Sequence, residues 1–179
     1  MHEIARDFRL EDVWALPAEG RREEFPRLVE AISSRDPDGG SSGAASALLR
    51  IRVKLGAVLG LDAPQSGVGA RVHSLRERLP GDVPAATGGP ASGPLAFRDV
   101  YLLPDEWATE IANRTMHGVM HLGWVPLGEG RYRGQLAILV KPNGLQGRAY
   151  MAAIRPFRHL VVYPAMMRRV ERVWKARED

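Results

Sequence analysis

The order of periodicities along the chain predicts an α+β domain, with helical spacing first, strand alternation next and one long kinked helix last. Three observations carry this. The segment YRGQLAILVKP (132–142) places Tyr132, Leu136, Ile138 and Val140 on one face and Arg133, Gln135 and Lys141 on the other, the pattern of an antiparallel strand buried on one side. The three runs before it, FRDVYLL (97–103), WATEIANRT (107–115) and MHGVMHLGWV (116–125), are divided by a turn signal at Pro104–Asp105 and by the polar end of the second run. After Asn143–Gly144, Tyr150, Ile154, Phe157 and Val161 recur at helical spacing.

The first element is a strand, expected at 3–9 or 11–16 to complete a sheet for which 97–142 supplies about four strands. EEFPRLVEAIS (23–33) has Phe25, Leu28, Val29 and Ile32 at helical spacing, with Pro26 tolerable in a first turn. RDPDGGSSG (35–43) is a loop. AASALLRIRVKLGAVLGLD (44–62) reads as an amphipathic helix striped by Leu48, Ile51, Leu55, Val58 and Leu59. A short helix is expected at 70–79. The Gly-, Pro- and Ala-rich 81–96 is a long flexible loop inside one domain, 1–179, because neither half looks self-sufficient. At the end, Pro156 should kink the helix, and Pro164 fits a fresh first turn whose stripe is Met167, Val170 and Trp174.

Composition excludes several function classes. The chain has 179 residues and no cysteine, so disulfides, thiolate metal sites and cysteine nucleophiles are absent. The charged start MHEIARDFRLEDV lacks the apolar core of a secretory signal, and no apolar run reaches membrane-span length, so a cytoplasmic location is expected. Net charge is +4, and residues 155–179 carry seven basic and three acidic groups. That basic end reads first as the solvated face of a helix, so nucleic acid is not an expected partner.

Chemistry-bearing residues are few. His117 and His121, in HGVMH, would share a zinc on a helix. On a strand they lie about 13 Å apart, at about 3.3 Å per residue, and cannot. The alternation favours the strand, so no metal is expected. It also turns His117, Val119 and His121 away from the face of Met116, Met120, Leu122 and Trp124. The two histidines are then possible acid–base groups or plain surface residues. His159 reads as solvated. Glu110 and Asp99 are acids inside the strand region whose faces the pattern leaves open. Asn113 and Thr115 end a strand. Tyr150 offers a hydroxyl on an apolar helix face. No nucleotide loop, nucleophile elbow or paired-carboxylate spacing stands out, and no cofactor is expected.

The phrases FPRLVEA, LGAVLGLD, EIANRTMHGVMHLGWV and LVKPNGLQGRAYMAAIRPFRHLVVYPAMMRRVERVW resemble a bacterial family catalogued as domain of unknown function 2867. The resemblance spans nearly the whole chain except 81–96. It implies a START-like, polyketide-cyclase-like (SRPBCC) helix-grip fold, in which a curved antiparallel sheet wraps a long C-terminal helix around a cavity. It implies no reaction. Relatives fused to NAD(P)-binding oxidoreductase domains make such an enzyme a conceivable partner. The expected function is an apolar small-molecule-binding domain, with Tyr150, Ile154, Phe157, Met120, Trp124 and Asn113 as ligand-binding residues. The alternatives are a cyclase-, dehydratase- or hydrolase-type enzyme using His117, His121 or a tyrosine, and a module docking an anionic partner through its basic C-terminal helix.

Overall fold

The structure, a computed structural model, describes residues 1, 3–33, 67–86 and 97–176. The helix expected at 44–62, the 35–43 loop and residues 87–96 of the long loop lie outside the described residues.

Strand β1 runs Arg9–Gly20, longer and later than expected. Helix α1 is Phe25–Ser33, and it buries Phe25, Leu28 and Ala31, one stripe of its amphipathic sequence. Strands β2 (Arg98–Leu102), β3 (Glu106–Ala112), β4 (Met116–Gly128) and β5 (Arg131–Pro142) follow the four alternating runs closely. They form a meander, and β1 closes the sheet by pairing antiparallel with β5, giving five strands in the order β1-β5-β4-β3-β2. The helix expected at 70–79 is shorter, a single 3-10 turn at Leu75–Arg78 capped by the Ser74 hydroxyl.

The C-terminal helix is continuous but widened at one point. α2 (Gly144–Phe157) contains Pro156 without ending there. A π turn, Arg158–Val162, then leads into α3, Tyr163–Lys175. The physical cause lies on both sides. Pro164 has no N–H for the Leu160 carbonyl, and its ring would crowd that oxygen in a regular turn. The Tyr163 amide bonds to the Arg158 carbonyl instead, one residue further back, which opens the turn.

One face of the sheet packs on helices. Leu16, Ala18, Trp107, Leu122, Trp124 and Leu136 meet Phe25 and Leu28 of α1 and Tyr163, Val170 and Trp174 of α3. The tryptophans are tied down as well as buried: Trp124 Nε1 donates to the Arg21 carbonyl at 2.9 Å and Trp174 Nε1 to the Glu19 carbonyl at 2.8 Å. Arg27 lies 4.3 Å over the Trp174 ring. Gly134 allows this closeness, since a Cβ there would stand 2.6 Å from Leu28 Cδ2.

The other face is covered too, contrary to the one-sided pattern. Ile4, Ala5 and Phe8, from the turn before β1, and Leu75 form a second apolar cluster with Val100, Tyr101, Ala108, Val119 and Leu139. Asp7 clips this cover in place through Arg78 and Lys141, each at 2.7 Å. Two flanking cores with the sheet between them position everything that follows.

Candidate functional site: two histidine–glutamate pairs on the second face

β3 and β4 are joined by a tight turn that Asn113 builds. Its side-chain oxygen accepts from the Thr115 amide (2.9 Å), the Thr115 hydroxyl (2.7 Å) and the Met116 amide (3.1 Å), the local bonding that suits Asn to turns. This fixes the register Ala112↔His117, Glu110↔Val119, Ala108↔His121 and Glu106↔Gly123. Residues four apart share a strand face, so Glu106, Glu110, His117 and His121 all point to the second face. Each histidine meets the glutamate diagonal to it.

The inner pair is closed. His117 Nε2 and Glu110 Oε2 are 2.9 Å apart, with side chains 5% and 0% exposed. The Ser74 hydroxyl donates to Glu110 Oε1 at 2.5 Å and the Leu75 amide to Oε2 at 3.1 Å. Phe8 sets its ring edge-on to His117, centroids 4.9 Å apart. Burial pushes the Glu110 carboxyl up, but the bonds from His117, Ser74 and the Leu75 amide outweigh it and hold the group below its usual range.

The outer pair is open. His121 Nε2 lies 3.1 Å from Glu106 Oε2, with side chains 17% and 40% exposed. The Tyr101 hydroxyl donates to the same carboxylate at 2.9 Å. The bond from His121 brings the Glu106 carboxyl down to about 2, against burial, with Tyr101 assisting. Burial and that carboxylate push the Tyr101 phenol far above its usual range. An ionised carboxylate only accepts, so His121 in its neutral form donates Nε2–H and keeps the Nδ1 lone pair free. Among the described residues Nδ1 has no partner.

The floor around His121 is made of small side chains. Its direct neighbours across β3 and β5 are Ala108 and Ala137, and the next row on the same face holds Gly123. Beyond them toward the sheet edge lie Val13, Ala15 and Gln135, all exposed. Ala108 and Gly123 are buried and Ala137 is half-buried, so the shelf open on this face is the edge strip of Val13, Ala15 and Gln135, with the partly exposed imidazole of His121 at its inner end.

On the helix side, a buried carboxylate forms a different cluster. Asp12 of β1 accepts from the Tyr163 hydroxyl at 2.5 Å and lies 3.0 Å from His159 Nε2 and 3.4 Å from Arg158 Nη2. Burial and Asp12 push the Tyr163 phenol well up. Open space is found at the sheet's edge and end. A groove of about 490 Å³ runs between Trp14, Leu16 and Pro17 of β1 and Met167 of α3, and a second of about 710 Å³ is walled by charged residues of 19–23 and 129–132.

Several expectations change here. His117 is buried and His121 mostly so, not surface-strand residues, because the second face has its own cover. His159 is half-buried against Asp12 rather than solvated. Trp124 is core and Met120 packs against the same cluster, while Asn113 is buried in its turn. Tyr150, Ile154 and Phe157 are half-buried on α2 and belong to neither apolar cluster; the helix segment packed on the sheet is α3, with Tyr163, Val170 and Trp174. The sequence reading missed Glu106, Tyr101, Ser74 and Asp12. Glutamates four apart, then histidines four apart across a short turn, were a usable signal: antiparallel strands bring such pairs together in reverse order.

HGVMH stands on a strand, as its alternation indicates. Among the described residues no cluster of three or more His, Cys, Asp or Glu is arranged to hold a metal, and no helix is long and apolar enough to cross a membrane. Comparison with curated proteins and with solved structures finds no match to this chain. The model of one family, described as protein of unknown function (DUF2867), matches residues 4–165, and the chain belongs to that family.

Proposed function

We propose that this protein is a small-molecule-binding domain with an acid–base group, His121, set into the floor of its site. The contrast between the two pairs carries the reading. Glu110–His117 is sealed, with both carboxylate oxygens bonded to the chain, as a structural pair would be. Glu106–His121 repeats the same bond in a partly exposed place, on the side of the sheet that carries the exposed Val13, Ala15 and Gln135. Glu106 orients the ring, and Tyr101 holds Glu106. The fitting ligand has a flat apolar body to lie over Val13, Ala15 and Ala137, and a proton to lose or gain next to Nδ1. The chemistry is proton transfer to or from that ligand.

The helix-grip assignment is part of this reading, supported by β1 pairing with the last strand and by α3 lying on the face that α1 also covers. The interior between sheet and helix is filled by Trp107, Leu122, Trp124 and Val170, which favours the shelf over a deep central cavity as the ligand's place.

The test is native mass spectrometry of the protein purified from its own host. The expected result is a co-purified small molecule that is lost in His121→Gln and kept in Trp14→Phe. A bound molecule indifferent to His121→Gln would refute the assignment.

A further inference from the structure

We propose a second ligand site where the irregular part of β1 meets the π turn, built for a small uncharged molecule with an apolar body and a carbonyl-type acceptor oxygen. Two backbone irregularities face each other there. β1 shifts register between Leu10 and Asp12, and the helix widens at Arg158–Val162. Such bulges re-aim side chains and recur next to functional sites. Here they bring Asp12, Arg158, His159 and Tyr163 into one corner, with Trp14 against both rings: centroids lie 5.0 Å from Tyr163 and 5.8 Å from His159.

The corner has more donors than acceptors. Trp14 Nε1 and Arg158 Nε are buried and have no acceptor among the described residues, and both can only donate. His159 Nε2, though 3.0 Å from Asp12 Oδ1, is misaligned for a hydrogen bond. Buried donors in folded proteins are nearly always matched, so a cluster of orphans points to an acceptor that the chain itself does not supply. The charges are already balanced. Arg158 lies 3.4 Å from Asp12 and 3.7 Å from Glu11, and Arg9 is 4.0 Å from Glu11. An anion would bring a charge without a counter-charge, while a neutral oxygen fits. The same Trp14 walls the 490 Å³ groove, with Leu16, Pro17 and Met167 as its apolar sides and Glu19, Arg133 and Glu171 also lining it. A ligand body in the groove, turned inward at Trp14, reaches the donors with one oxygen. This site is on the opposite sheet face from His121 and does not depend on it.

Acetophenone and ethylbenzene, similar in shape and differing in the oxygen, test the idea by titration into the ¹⁵N-labelled full chain. The protein has four tryptophans, so each indole N–H can be followed and the other three report on the fold. Acetophenone should move the Trp14 signal saturably and bind about 3–10-fold tighter than ethylbenzene, the worth of a neutral hydrogen bond or so. Arg158→Lys keeps a charge beside Asp12 but removes Nε–H, and it should erase most of that preference. His121→Gln should leave the preference intact. Equal binding of the two probes, an unmoved Trp14 signal, or a preference that survives Arg158→Lys would overturn the proposal, leaving those donors to water alone.

Discussion

Glu110 and Glu106 sit four residues apart on one strand and make the same diagonal bond to a histidine on the next. Their surroundings separate them. Glu110 spends both oxygens on holding the chain: one on Ser74, one shared by Leu75 and His117. It fastens the Leu75–Arg78 turn, and with it Leu75, onto the sheet. Glu106 fastens nothing remote. Its partners are Tyr101 on the neighbouring strand and a partly exposed histidine. The lesson is that a glutamate–histidine pair in a sheet is read from its burial and from what the rest of the carboxylate holds, since the bond itself is alike in both places.

The largest way to break the comparison is at the closed pair. Glu110→Ala strands His117, the Ser74 hydroxyl and the Leu75 amide in a buried place, and should cost about 3–5 kcal/mol in urea unfolding. Replacing both partners, Glu110→Leu with His117→Leu, should cost less than the single change. Removing both partners leaves no orphaned histidine, only a penalty of about 1–3 kcal/mol for Ser74 and Leu75. A double variant as unstable as Glu110→Ala would mean that packing, and not the buried charge, dominates there.

The open pair should barely register in stability. Glu106→Ala should cost no more than about 1 kcal/mol, because both groups are partly solvated. It should nonetheless reduce occupancy of the co-purified ligand, since the ring loses its orienting partner. Acid sharpens the point further. The Glu106 carboxyl falls from an ordinary 4.5 to about 2 on folding. A depressed folded value stabilises fully above pH 4.5 and is lost as pH falls towards 2. Glu106→Gln should therefore flatten part of the acid limb by lowering stability above about pH 4.5, by no more than about 1 kcal/mol for so exposed a group, while matching the parent near pH 2. An acid limb identical to the parent's would place the ionised pair elsewhere.

The strand half of the fold was legible because alternation is strict and the turns carry Pro, Asp and Asn. The parity of β4 correctly set His117 and His121 opposite Met120 and Trp124. What could not be read was the second cover. Ile4, Ala5, Phe8 and Leu75 come from turns with no periodicity, so nothing in 3–8 or 75–78 announces that it will bury a sheet face. The histidines of β4 therefore looked solvent-facing, and the face of Glu110 on β3 stayed open. The π turn was also hidden. Pro156 suggested a kink at itself, whereas Pro164 sits just after the turn that widens ahead of it. That misplacement moved the expected gripping surface from Tyr163–Trp174 back to Tyr150–Phe157.

The most direct test is acylation by diethylpyrocarbonate near neutral pH, followed residue by residue with peptide mass mapping. The reagent needs an accessible, unprotonated imidazole nitrogen. The account predicts that His121 is modified through its free Nδ1, that His117 in the same peptide stays unmodified while the protein is folded, and that the ligand carried from the host protects His121. Equal modification of the two, or a reactive His117 beside an inert His121, would contradict it.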